Sequence, residues 1–313
     1  DRCGADVWAQ RDLFVMNCRV GAPPDDFSPS GQDWAFPPPN YERHRQTAYR
    51  YFREAIRRNM LAGGALRIDH VMRFFRLYWI PEGFSASEGA YVRDYAENLV
   101  RILALESVRN QVLVVGEDLG TVEPETREAL EKFGILSYRL FYFEREGDGS
   151  MKAPENYPTN ALVSTTTHDL PTLAGAWIGR DIEARDYSGL LPEHSEYERQ
   201  WAERRDLKQR ILDALFEEKL MPEYYTRWAN DIPELTGELH NAVIGYLART
   251  PSKLFQVNQE DLTKFLDQQN LPGSTWQYPN WQRKTGYYLE DLRSDPLVRG
   301  CAAMLVRWLK ESG

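Results

Sequence analysis

The stretch GALRIDHVMRFFRLYWIP, residues 64–81, decides the fold. Gly64, Ala65, Leu66 and Ile68 form a brief apolar run of the kind shown by a strand buried on both faces. Arg67, Asp69 and His70 then place charge where that strand emerges, and the chain continues in aromatics. An acid at the end of a buried strand belongs to parallel α/β architecture, where loops following the carboxyl ends of the strands carry the chemistry.

Outward from this stretch, helix and strand alternate. Residues 44–62 have helical composition and stop at Gly63–Gly64, and 65–69 is the strand. Tyr95, Leu99, Ile102, Leu103 and Leu105 predict a helix over 89–109, leading into a strand at QVLVVGED, 111–118. Pro124 opens a helix reaching Phe133, and SYRLFYFE (137–144), ALVSTTTHD (161–169) and SKLFQVNQED (252–261) read as further strands. Helices are expected over 199–218, 222–248 and about 295–310, with a Pro- and Gly-bearing loop at 270–281. GAPPDDFSPSGQDWAFPPPN, 21–40, is too rich in Pro, Gly and Ser for a helix or central strand, and reads as a long ordered loop or lid. The pattern is that of a parallel sheet closed or covered by helices. With about five or six strands, an eight-stranded barrel would be short of its first few.

Composition narrows the function. A chain of 313 residues with 42 % hydrophobic and 27 % charged residues is long for an average domain but ordinary for an α/β barrel, and is not disordered. The net charge of −9 argues against a nucleic-acid partner. Three cysteines without CxxC spacing suggest neither a disulfide framework nor a zinc site, so a reducing, cytoplasmic location is expected. No signal-peptide pattern appears and no apolar run approaches the roughly 18 residues of a membrane span, so no membrane association is expected. The chain starts at Asp1 rather than Met, as a fragment or processed product would. Among aromatics in loop-like contexts, Trp34, Trp276 and Trp281 are candidates for stacking on sugar rings.

Three predicted strands end in an acid: Asp69, Glu117 and Asp169. Each has an alternative use as a helix cap, Asp169 before LPT most of all. Three at one face favour chemistry. Glycosyl transfer needs one carboxyl ionised and one protonated across the scissile bond. Arg67 would hold Asp69 ionised, whereas the apolar approach Val114–Val115–Gly116, together with repulsion from Asp118, would keep the proton on Glu117. His44, His194 and His240 read as structural, while His70 and His168 adjoin two of the acids. No Gly-rich phosphate loop appears.

ALRIDH, VGEDLGTV, TTTHDLPTLAG, GAPPDDFSPSGQDW and NLPGSTWQYPNW resemble, in order and over roughly residues 6–283, the amylomaltases or 4-α-glucanotransferases of the α-amylase clan. The resemblance implies a (β/α)8 TIM barrel, here without its first strands and with helical and loop insertions. Residues 1–313 would be the C-terminal part of one catalytic domain, with 21–40 as the lid and 180–250 as a helical insertion. It implies Asp69 as nucleophile, Glu117 as acid/base and Asp169 as the third acid, holding sugar hydroxyls. Arg67 and His168 match residues that bind the nucleophile and the reacting glucose; His70, Gln32, Trp34, Phe27, Asp118 and Asn270 match sugar-contacting positions. The implied reaction moves an α-1,4-glucan segment from a malto-oligosaccharide to the 4-hydroxyl of glucose, maltose or a longer acceptor, with retention and without cofactor or metal. The rivals are an α-glucan hydrolase of the same clan and a non-catalytic glucan-binding domain. This chain departs from many relatives at Asp26–Phe27, where they carry Tyr–Phe, and at Gln277, where they carry an acid. Relatives also continue upstream, so the chain alone is expected to be an incomplete catalyst.

Overall fold

The computed structural model describes residues 4–311 except Asp26, Phe27, Pro29 and Thr121, so the expected sugar contact at Phe27 lies outside the described residues. The chain forms two compact units, Asp1–Tyr138 and Arg139–Gly313.

In the first unit, chain order runs α1 (Ala5–Ala9), β1 (Cys18–Ala22), β2 (Gln32–Asp33), α2 (Tyr41–Gln46), α3 (Arg50–Met60), β3 (Ala65–Ile68), β4 (Arg76–Pro81), β5 (Ala90–Arg93), α4 (Ala96–Asn110), β6 (Leu113–Gly116), α5 (Pro124–Lys132) and β7 (Leu136–Leu140). β7 carries the chain into the second unit. β3 pairs in parallel with β6, and β6 with β7. α3 and α4 cover these strands because Phe52, Ile56 and Met60 on one helix, and Leu99, Val100 and Leu103 on the other, recur at helical spacing and are buried in one core with Val114, Leu130 and Ile135. Pro124 stands in the first turn of α5, where its missing N–H costs nothing.

Several expectations change. β3 is buried on one face only: Leu66 and Ile68 are half-buried, while Ala65 and Arg67 alternate with them and are exposed. The aromatic continuation of the opening stretch is β4, part of an antiparallel sheet ordered β2-β1-β4-β5. The 21–40 segment therefore contains strand at 21–22 and at 32–33, with Gly21 opposite Asp33 and Ala22 opposite Gln32. Gly21 is needed there, since a Cβ would stand 2.0 Å from the Gln32 carbonyl oxygen. The helix expected from 89 starts at Ala96; Ala90–Arg93 is taken by β5, which pairs with β4, and Leu105 is exposed.

The second unit continues with β8 (Ala161–Ser164), α6 (Leu173–Ile178), α7 (Arg180–Tyr187), α8 (His194–Glu217), α9 (Gly237–Ala248), β9 (Leu254–Gln256), α10 (Gln259–Leu262), α11 (Leu289–Leu292) and α12 (Pro296–Glu311). β8 and β9 pair in parallel. α9 is buried from Leu239 to His240 and from Ala242 to Leu247, so it is the centre of this unit's core. The helix expected over 222–248 shrinks to α9 because Pro222 and Pro233 interrupt its first half, which holds only a 3-10 turn at Ala229–Asp231. The strand expected over 252–261 stops at Gln256, where Asn258 turns the chain into α10. The strand expected over 161–169 stops at Ser164, leaving the last residues of that stretch to a loop. No helix among the described residues is long and apolar enough to cross a membrane.

Candidate functional site

In the first unit, the register of β3 against β6 sets Ile68 opposite Gly116, so Asp69 and Glu117, each the next residue, leave neighbouring parallel strands side by side. Adjacent strands lie about 4.8 Å apart. Backbone bonds extend the ladder past the strands: Glu117 N–H donates to the Ile68 carbonyl at 2.9 Å, and Val71 N–H to the Glu117 carbonyl at 2.9 Å. The Glu117 carboxyl, 8 % exposed, accepts His70 N–H at 2.8 Å and Leu119 N–H at 2.7 Å, one on each oxygen. His70 presents its N–H from a left-handed conformation, φ 47°, which is rare for a residue with a side chain and is typical of functional turns.

Burial raises the Glu117 pKa above the ordinary glutamate value; the two N–H donors and Arg67 oppose the shift, and the Asp69 charge adds to it. The expected repulsion from Asp118 is corrected here. Asp118 is 1 % exposed and faces away, accepting the Ser137 hydroxyl at 2.5 Å and the Tyr138 N–H at 2.8 Å. Its carboxylate ties the start of β7 through Ser137 and Tyr138. Asp69 has an exposed side chain and pairs with the Arg67 guanidinium at 2.7 Å. Arg67 also lies over the Tyr138 ring, 5.6 Å from its centroid. An exposed pair like this orients a carboxylate more than it stabilises a fold.

The half-buried His70 ring meets Trp34 edge-on with centroids 5.3 Å apart. Burial lowers its pKa to about 4, Arg73 and Arg76 acting in the same direction and Asp69 against, so the imidazole is neutral at pH 7. Trp34 Nε1 donates to Gln32 Oε1 at 3.1 Å, and the Trp34 ring stacks on Phe36 at 6.1 Å. Gln32, Trp34 and His70 thus come together. Phe36 joins them unannounced, since its setting among prolines gave no sign that it would stack on Trp34.

In the second unit, the loop after β8 carries His168 and Asp169. Asn270 Nδ2 donates to Asp169 Oδ1 at 2.7 Å, Asn270 N–H donates to the His168 carbonyl at 3.0 Å, and His168 Nε2 lies 3.1 Å from Asp169 Oδ2. Trp281, 63 % exposed and at φ 59°, places its ring 5.0 Å from the His168 ring. Asp169 is not the helix cap that its sequence context allowed. Thr172 caps α6, its hydroxyl oxygen accepting the Gly175 N–H at 2.9 Å. Gly175 itself has no room for a side chain: a Cβ would stand 2.1 Å from the Leu266 carbonyl oxygen. Gly175→Ala is therefore expected to cost about 1–3 kcal/mol in thermal or denaturant unfolding, because backbone rather than a flexible side chain must move. An unchanged midpoint would show that 265–268 yields freely.

Buried His44 and His240 each place Nε2 on a backbone carbonyl, Leu13 at 3.1 Å and Asp261 at 2.9 Å, and His194 is exposed at the start of α8. Trp276 is 87 % exposed. Among the described residues no group of three or more His, Cys, Asp or Glu side chains is arranged to hold a metal ion.

The family model described as 4-alpha-glucanotransferase matches residues 1–288. A 4-alpha-glucanotransferase of Haemophilus influenzae is 39 % identical over 299 residues, covering 95 % of this chain and 42 % of its own. One of Mycobacterium tuberculosis is 38 % identical over 286 residues, 89 % of this chain and 38 % of its own. The crystal structure of amylomaltase from Corynebacterium glutamicum superposes with a TM-score of 0.90 at 33 % identity, over 97 % of this chain and 44 % of that one. Amylomaltase from Streptococcus agalactiae, at 19 % identity and a TM-score of 0.67 over 97 % of this chain and 53 % of that one, shares the fold. The chain spans about two-fifths of the length of these curated relatives. The expected fold, part of a (β/α)8 barrel with insertions, stands.

Proposed function

This chain belongs to the 4-alpha-glucanotransferase family, and from that premise we propose that it carries the reacting carboxyls of a retaining transfer of α-1,4-glucan segments between malto-oligosaccharides. Asp69 attacks C1 of the reacting glucose, forming a bond from its carboxylate oxygen, while the bond from C1 to the leaving 4-oxygen breaks and Glu117 gives that oxygen its proton. Glu117, now ionised, takes the proton of an acceptor 4-hydroxyl, whose oxygen displaces Asp69 from C1. Two inversions give retention, and the proton borrowed from Glu117 is returned.

The observation that carries this reading is the β3–β6 register, which sets an exposed carboxylate paired to Arg67 beside a buried carboxyl of raised pKa. A double displacement wants its two carboxyls about 5–5.5 Å apart, close to one strand spacing. Asp169 and His168, braced by Asn270, are proposed to hold hydroxyls of the reacting sugar, and Arg67 to orient Asp69. The acceptors proposed are glucose, maltose and longer maltodextrins derived from glycogen or starch. A cytoplasmic location fits cysteines without CxxC spacing.

The test gives maltotriose to the whole protein, since this chain alone, about two-fifths of its relatives' length, is expected to be an incomplete catalyst. Transfer yields shorter and longer oligomers with little rise in reducing ends; glucose and maltose with a matching rise in reducing ends would mean hydrolysis, and binding without product would mean a glucan-binding domain.

The loop over 21–40 is proposed as a lid on the acceptor side, with Trp34 stacking on a sugar face. Trp34→Ala is expected to lower the ratio of transfer to hydrolysis about fivefold, the worth of roughly 1 kcal/mol of stacking. An unchanged ratio would return the loop to a structural role.

A further inference from the structure

The Asp261 carboxylate in α10 is fully buried and makes two bonds that bracket the site loop of the second unit. One oxygen accepts the Thr165 hydroxyl, and the other accepts the Leu173 N–H at 2.7 Å. Thr165 lies four residues before Asp169 and Leu173 four after, so a single carboxylate ties the two ends of a nine-residue loop with Asp169 at its midpoint. The same chain segment braces the loop elsewhere: Asn258 Nδ2 donates to the Thr166 carbonyl at 2.7 Å, and Gln268 Nε2 to the Asp169 carbonyl at 3.3 Å. Burial raises the Asp261 pKa to about 6, against hydrogen bonds from Thr165, Leu173 and Asn258. An acid in such a place carries a desolvation cost that a neutral residue would avoid, and the bonds it makes to the two ends of the loop offset that cost.

We propose that Asp261 is a positioning residue for glucan transfer, its carboxylate clasping both ends of the 165–173 loop and so fixing the Asp169 carboxylate. The proposal rests on the transferase reading, because it needs Asp169 to act on the substrate. A loop loosened at both ends displaces its midpoint, and displacements of about 1 Å in an active site cost on the order of a hundredfold in rate.

The experiment is made in the whole protein, because this chain alone is expected to be an incomplete catalyst, and compares native Asp261 with Asp261→Ala and Asp261→Asn by maltotriose kinetics and by hydrogen exchange of the amides over 166–170. Asp261→Ala should fold, lose on the order of 10- to 100-fold in kcat with KM changed less than about threefold, and exchange faster over 166–170. Asparagine has the same shape, with an oxygen for the Leu173 N–H and an amide for the Thr165 oxygen, so Asp261→Asn should recover to within about fivefold. If Asp261→Ala fails to fold, Thr165→Val, which removes one of the two bonds, should give a smaller loss in kcat with the same local rise in exchange. Native kcat in Asp261→Ala, a loss without faster exchange over 166–170, or a loss as large in Asp261→Asn as in Asp261→Ala overturns the proposal. A native protein with no transfer at all defeats the transferase reading instead, and the exchange comparison then judges the clasp by itself.

Discussion

Asp69→Asn should lower kcat for maltotriose transfer by about four to six powers of ten while leaving the unfolding midpoint nearly unchanged. Removing a nucleophile that forms a covalent intermediate costs that much in enzymes whose remaining groups stay in place. Stability should hold because the Asp69 side chain is exposed and its pair with Arg67 is a surface pair, worth at most about 1 kcal/mol. The assignment has a direct check: a mechanism-based fluorinated glucosyl fluoride should accumulate as a covalent adduct on the peptide containing Asp69. An adduct on any other residue would remove Asp69 from the role, whatever the kinetics of the variant.

The parts of this site that were legible in the sequence are those set by short-range pattern. Leu66 and Ile68, and Val114 and Val115, are apolar runs that can only be strands in this setting, and an acid after each falls at the strand's carboxyl end without further information. The antiparallel sheet was not legible because Val20 pairs with Trp79 across 59 residues of chain, and RLYWIP read alone does not announce its partner. Asp118 misled for a simpler reason. Consecutive residues leaving a strand point to opposite sides, so the residue next to Glu117 in sequence is the one least able to act on its carboxyl, and Asp69 on the neighbouring strand acts instead. Asp261 was not singled out: in SKLFQVNQED it stands at the end of an expected strand, and its partner Thr165 lies 96 residues upstream.

Glu117→Gln should separate two substrates by the leaving group that each must expel. With maltotriose, whose leaving oxygen has to be protonated as it departs, the rate should fall by at least about a thousandfold; with α-glucosyl fluoride, whose fluoride leaves unaided, the first step should be nearly preserved. The glutamine keeps both backbone contacts only in part, since its amide nitrogen cannot accept from either His70 or Leu119 N–H. A modest loss of stability should accompany the change. The second step lacks its base, so a small anion such as azide, which needs no deprotonation, should restore turnover of the fluoride and yield the α-glucosyl azide. The pH profile carries a further check. Burial holds the Glu117 pKa above the ordinary glutamate range, so the protonated form that cleaves the donor persists to higher pH, and kcat/KM for maltotriose should fall as pH rises through that raised value. In Glu117→Gln that alkaline limb should vanish. Equal losses on both substrates, or an alkaline limb that survives the substitution, would place the acid on a different residue.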